Sequence, residues 1–215
     1  MAYDVVIFDL DGTLLDTLDD LMDSCNYALS TIGAPPRTRA EIRRFVGNGI
    51  RNLMLQAVPD GADNPKFEQA YETMQTWYKA HNQIKTAPYP GVQRLIRTLK
   101  QQGVPMAVVS NKPDASVQML VEQWFPEITF GLGEREGLRR KPERDMVDYA
   151  IVQLGQTGKK TVYVGDCEVD LTTAANAGLD CISVTWGFRD RALLVERGAK
   201  QFADTAEELL RLIQG

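Results

Sequence analysis

Val5-Val6-Ile7-Phe8-Asp9-Leu10-Asp11-Gly12-Thr13 is the stretch on which the fold of this 215-residue chain turns. Four consecutive apolar residues describe a strand covered on both faces, as a parallel sheet requires. Two acids follow at once, and Gly12 gives the backbone room to turn sharply after them. In an open parallel sheet, ligands bind just beyond the carboxyl ends of the strands. The acids therefore stand where a site is expected.

Working outward, similar short apolar runs occur at 106–109, 128–130, 161–164 and 181–184. From the second run onward they alternate with helical spacing: Val92, Leu95, Ile96 and Leu99; Val117, Leu120 and Val121; Met146, Tyr149, Ala150, Val152 and Leu154. Alternation of this kind predicts an α/β fold, a Rossmann-like parallel sheet with helices on both faces. Between the first two strands the apolar residues recur only at helical spacing, from Leu18 through Ile32, Ile42, Ile50 and Phe67 to Tyr78. Gly33-Ala34-Pro35-Pro36, Pro59-Asp60-Gly61 and Pro88-Tyr89-Pro90-Gly91 punctuate these stripes. We expect an all-helical insert over 16–86 and a discontinuous core of 1–15 and 87–215.

Composition narrows the chemistry. The chain has 44% hydrophobic and 25% charged residues, which excludes a disordered chain. Its 24 basic and 29 acidic residues give a formal charge of −5, and no basic stripe argues for nucleic acid or an anionic membrane as partner. A small anionic substrate is left. No run of about 18 apolar residues occurs, and the first ten residues lack a basic leader and are broken by Asp4 and Asp9. Cys25, Cys167 and Cys181 form neither a disulfide framework nor a zinc pattern, so a cytoplasmic protein is expected. His81 is the only histidine, which leaves catalysis to carboxylates, lysine or hydroxyls.

Such groups stand after each core strand. Ser110-Asn111-Lys112 follows the second run, Gly165-Asp166-Cys167-Glu168-Val169-Asp170 follows the fourth, and Arg139-Arg140-Lys141-Pro142 precedes a helical pattern near Asp145. If these elements meet on one rim, Asp9, Asp11, Asp166 and Asp170 bring four negative charges beside Lys141. Clustered carboxylates raise one another's pKa, and a divalent cation is the natural way to keep several ionised. Oxygen donors without histidine or cysteine suggest Mg2+. A magnesium ion beside a lysine and a strand-end hydroxyl suits a tetrahedral dianion such as phosphate.

At these residues the sequence resembles the haloacid dehalogenase superfamily. Phe8-Asp9-Leu10-Asp11-Gly12-Thr13 matches its first motif, Val109-Ser110-Asn111-Lys112 the second, Arg140-Lys141-Pro142 the third, and Gly165-Asp166 through Asp170 the fourth. The helical insert is similar to that superfamily's α-helical cap. The resemblance implies phosphoryl transfer in two steps, with Asp9 as nucleophile and Asp11 as general acid and base. Ser110 and Lys141 would hold the transferring oxygens, with Gly12, Thr13 and Asn111 at the substrate. Mg2+ would be held by Asp9, by Asp11 through its carbonyl and by Asp166; Asp170 would complete the set directly or by orienting a metal-bound water or Lys141.

The acid at Asp11 disfavours the superfamily's dehalogenases and phosphonate hydrolases, and the absence of a histidine after the first motif disfavours its sugar phosphomutases. Phosphate monoester hydrolysis is the expected reaction, with a pyrophosphatase or nucleotide phosphatase as the alternative and a silent phosphate-binding module behind it. In the insert, Val46-Gly47-Asn48-Gly49 is similar to a segment of bacterial phosphoglycolate phosphatases, as are Leu18-Asp19-Asp20-Leu21 and Trp186-Gly187-Phe188-Arg189. A Gly-Asn-Gly turn before a helix offers backbone N–H groups, and Arg51 offers a fork for a carboxylate. Gly47, Asn48, Gly49 and Arg51 are thus the expected contacts to the leaving group, with 2-phosphoglycolate as the expected substrate.

Overall fold

The computed structural model describes all 215 residues. In chain order its first half holds β1 (Val5–Phe8), β2 (Leu15–Asp16), α1 (Leu18–Thr31), α2 (Arg39–Phe45), α3 (Gly49–Ala57), α4 (Phe67–His81), β3 (Ala87–Pro88) and α5 (Val92–Gln101). There follow β4 (Met106–Pro113), α6 (Asp114–Trp124), β5 (Phe130–Glu134), α7 (Asp145–Gln153), β6 (Thr161–Gly165), α8 (Glu168–Ala177), β7 (Asp180–Val184), α9 (Arg191–Glu196), β8 (Gln201–Ala203) and α10 (Ala206–Gln214). The chain divides into two compact units, residues 1–15 with 88–215, and residues 16–87; Ala87 lies with the helical unit.

The α/β unit is built on a six-stranded sheet in the order β5-β4-β1-β6-β7-β8, with every pairing parallel. Side chains of a strand alternate between faces, and here both faces are dry. Val6, Phe8, Val108, Val162, Val164, Ile182 and Val184 pack with the apolar stripes of α5, α6 and α10. Val5, Ile7, Ala107, Val109, Leu132 and Tyr163 pack on the other side with Met146, Val147 and Ala150 of α7 and Ala174 of α8. That two-sided burial is why the strand runs are unbroken rather than alternating.

Besides the short β2-β3 pair, two features of the six-stranded sheet depart from the expected strands. The third run lies at Phe130–Glu134 instead of 128–130, because Gly131 and Gly133 dilute its apolar signal. Gly131 packs against Val117 and Val121, where a side chain would crowd α6. An additional edge strand, Gln201–Ala203, has only one fully buried residue and so little pattern to read.

In the helical unit, α1 buries Leu18, Leu21, Cys25, Ala28 and Leu29, while α4 buries Phe67, Ala70, Met74 and Tyr78. Thr38 and Glu41 cap α2 reciprocally: the Glu41 N–H donates to Thr38 Oγ1 at 3.3 Å and the Thr38 N–H to Glu41 Oε2 at 2.8 Å. The two ends of the insert are tied by Asp20, a buried carboxylate. It accepts the Lys85 N–H at 3.0 Å, the Thr86 N–H at 2.9 Å and the Thr86 hydroxyl at 2.8 Å. Asp20→Ala strands those donors, so it should lower stability by about 3 kcal/mol. Urea unfolding followed through Trp77, the only tryptophan of residues 16–87, checks this, and an unchanged midpoint would contradict it.

Candidate active site

Register brings the motif residues together. Phe8 lies opposite Val108 of β4 and Val164 of β6, so one step beyond these pairs the chain delivers Asp9 between its two neighbouring strands. Ser110 and Asp166 follow two residues past those partners. The order reverses at β1, because successive strands run to one side through β4 and β5 and then to the other through β6, β7 and β8. A crevice at the carboxyl edge is the consequence.

At its centre is Lys141, whose side chain is 2% exposed. Its ammonium lies 2.9 Å from Asp9 Oδ1 and 2.8 Å from Asp170 Oδ1, and it donates to the Tyr163 hydroxyl at 2.9 Å. Burial works to discharge this lysine, but the charges of Asp170 and Asp9 outweigh it and hold its pKa well above the ordinary value. Burial, reinforced by Asp170, pushes Asp9 up to about 7 despite Lys141. Asp166 is raised by burial and by the charges of Asp170 and Asp9, which the Phe188 N–H and Arg189 only partly relieve.

Asp166 sits in a slot of closely fitting backbone. The Phe188 N–H donates to its Oδ2 at 2.6 Å and the Thr13 hydroxyl to its Oδ1 at 3.4 Å. A Cβ on Gly12, whose φ is +84°, would fall on the Asp166 carboxylate, and one on Gly187 would strike the Asp166 side chain and the Gly12 carbonyl. Trp186 Nε1 donates to the Thr13 carbonyl at 3.0 Å, and Arg189 forks onto Glu168 at 2.8 and 3.1 Å.

Several expected contacts are placed as supports. Thr13 is buried with its hydroxyl on Asp166, Gly12 gives that carboxylate its space, and the Asn111 amide donates to the Lys141 carbonyl at 3.0 Å. Asp170 does not fit direct metal ligation. Its Oδ1 accepts from Lys141 and Tyr163, and its Oδ2 from the Asp166 N–H, the Cys167 N–H and the Cys167 thiol. Although Asp166, Cys167 and Asp170 lie within 4.8 Å of one another, this saturated carboxylate and a hydrogen-bonded thiol make a lysine-orienting network. Ser110 is buried, and its Oγ accepts the Lys112 N–H at 3.4 Å.

In the helical unit, Gly47 and Gly49 carry φ of +130° and +78° around Asn48, which begins α3. Arg51 is engaged by Glu68, to which its Nη1 donates at 3.0 Å, and lies over the rings of Phe67 and Tyr71.

Sequence reasoning missed Tyr163, read only as part of an apolar run, and Lys112, whose Nζ lies 2.7 Å from Asp11 Oδ1. A polar atom on an otherwise inward-facing strand position was the available signal for the first. With Lys112 included, four carboxylates face two ammonium groups. The surplus of two negative charges, borne by oxygen donors only, fits a hard divalent cation held by Asp9 and Asp166.

A family model for haloacid dehalogenase-like hydrolases matches residues 6–184. The chain belongs to this family. Its kinship is with that family's phosphoric monoester hydrolases. It is 32% identical over 194 residues to a phosphoglycolate phosphatase of Pseudomonas putida, covering 86% of this chain and 70% of that protein. It is likewise 32% identical over 198 residues to one from Agrobacterium fabrum, at 86% and 82% coverage. Among solved structures, a Lactobacillus delbrueckii protein provisionally named a phosphoglycolate phosphatase superposes with a TM-score of 0.94 at 39% identity, over 99% of each chain.

The slot around Asp166 yields a stability test. Gly187→Ala should destabilise the α/β unit by about 1–3 kcal/mol, because the added methyl meets backbone as well as a side chain. Gly178→Ala is the contrast, since nothing lies within 4 Å of its Cβ and only its positive φ resists. Equal losses in urea unfolding would mean that the slot is not tight.

Proposed function

We propose that the chain is a Mg2+-dependent phosphatase of small phosphate monoesters, with 2-phosphoglycolate as its substrate, working through an aspartyl phosphate. The carrying observation is the buried Lys141 ammonium spanning Asp9 and Asp170, beside a third buried acid, Asp166. A nucleophilic carboxylate must approach a dianion, and the neighbouring positive charge makes that approach affordable.

In the first step an Asp9 oxygen forms a bond to phosphorus as the bond from phosphorus to the leaving oxygen breaks, and Asp11 gives its proton to that oxygen. In the second, Asp11 takes a proton from water while the water oxygen attacks phosphorus and Asp9 leaves. Lys141 and Ser110 hold the non-bridging oxygens, and Asp170 with Tyr163 keeps the lysine aimed. Asp9, Asp166 and the Asp11 carbonyl would hold Mg2+, which would supply charge neutralisation between carboxylate and phosphate.

The names of the relatives support 2-phosphoglycolate, and Arg51 with the Gly47-Asn48-Gly49 turn is the candidate reader of its carboxylate. The Arg51 pair with Glu68 is exposed, and such pairs are weak enough for a substrate carboxylate to exchange with. Three buried or half-buried free thiols agree with a reducing cytoplasm, and no helix is long and apolar enough to cross a membrane.

Asp9→Asn should lose at least about 1,000-fold in kcat on 2-phosphoglycolate, and excess EDTA should abolish turnover until magnesium is returned. Pyrophosphate and nucleoside monophosphates in the same assay test the substrate; faster turnover of either would displace 2-phosphoglycolate. Arg51→Ala should raise KM for 2-phosphoglycolate about tenfold more than for an alkyl phosphate that lacks a carboxylate, with kcat little changed. A uniform change across substrates would remove Arg51 from the recognition of the carboxylate.

A further inference from the structure

Asp11, the acid and base of the proposed reaction, is itself held. Lys112 Nζ lies 2.7 Å from its Oδ1 and 3.0 Å from its Oδ2, with the lysine side chain 1% and that of Asp11 15% exposed. An exposed pair would be worth little, but an almost fully buried ammonium keeps its counter-charge because water cannot replace it. The two lysines divide the work, since Lys141 is engaged with Asp9 and Asp170. Lys112 also lies near the end of β4, where the register with β5 shifts between Val109 and Pro113, and its own N–H donates to Ser110 Oγ.

Asp11 sits on a turn rather than a strand. The Gly12 N–H donates to the Leu15 carbonyl at 2.9 Å, and the Leu14 and Leu15 N–H groups return to the Leu10 carbonyl at 3.0 Å each. These bonds shape the backbone and leave the carboxylate free to rotate. One ammonium bridging both oxygens removes that freedom.

We propose that Lys112 is a positioning residue for acid–base catalysis. It fixes the Asp11 carboxyl so that the same group hands a proton to the leaving oxygen and takes one from the attacking water. This rests on the role given to Asp11 above. The effect proposed for Lys112 is exerted through the Asp11 carboxyl it holds. A displacement of about 1 Å at such a group is enough to cost about 100-fold in rate.

The test uses Lys112→Met and Lys112→Gln, each alone and combined with Asp11→Asn, with Asp9→Asn alongside. Turnover of 2-phosphoglycolate, whose alkoxide needs a proton, is compared with single-turnover release of nitrophenolate from p-nitrophenyl phosphate, which leaves without one. We expect kcat on 2-phosphoglycolate to fall about 100-fold with KM little changed, and nitrophenolate release to stay within about threefold. In the Asp11→Asn background the cost of losing Lys112 should vanish. Equal losses on both substrates, or losses that multiply with Asp11→Asn, would overturn the proposal. So would loss of the far-ultraviolet circular dichroism of both Lys112 variants, since the lysine would then serve the fold. Turnover that survives in Asp9→Asn sinks the nucleophile reading and the proposal with it, whereas an inactive Asp9→Asn with multiplying Lys112 losses sinks the positioning role alone.

Discussion

Everything at the carboxyl edge of this sheet depends on how negative charge is kept in a dry place. Asp9, Asp166 and Asp170 are all buried, and the charge of Asp170 raises the cost of ionising both Asp9 and Asp166. One buried lysine meets Asp170 and Asp9, and another meets Asp11. What is left over is two negative charges, which one divalent cation would balance. The site is therefore an incomplete electrostatic structure by construction, with a remaining demand for positive charge that the proposed metal beside a phosphate would meet.

The carboxylates that take part are distinguished by what already occupies their oxygens. Asp170 accepts five donors and has no capacity to spare, so its charge is spent on aiming Lys141. Asp166 accepts one backbone N–H and one hydroxyl, which orients it without saturating it. Thr13 and Gly12 serve that one carboxylate from more than 150 residues before it, and Phe188 and Gly187 from about 20 residues after it, so chain topology rather than local geometry builds the slot.

The fold was legible because a doubly covered parallel sheet writes its strands as unbroken apolar runs, as at Val5 to Phe8 and Val162 to Val164. The acids were legible because they follow those runs directly. Strands with little burial or with glycines carried weaker signals, hence the shifted third run and the short edge strand near Phe202. Pairings across the fold were not legible at all. Nothing local distinguishes Lys112, which grips Asp11, from a loop lysine, or reveals that Tyr163 turns its hydroxyl towards Lys141 and Asp170. Arg51 shows the same limit: its fork pairs with Glu68, a partner that a sequence separation of 17 on neighbouring helices concealed.

The difference between Asp9 and Asp11 explains why one needs an anchor the other does without. Asp9 follows β1 directly, its N–H bonded to the Val164 carbonyl, and sheet register fixes its direction. Asp11 lies two residues farther on, inside the turn closed between Leu10 and Leu15, where the chain leaves the α/β unit. Any change in the backbone at that crossing would reach Asp11 through four residues, while Asp9 would be shielded by its ladder. In the proposed reaction, a nucleophile attached to the sheet and a proton carrier attached to the turn would call for different supports. A lysine reaching from β4 gives the turn's carboxylate a reference in the rigid sheet that its own segment lacks.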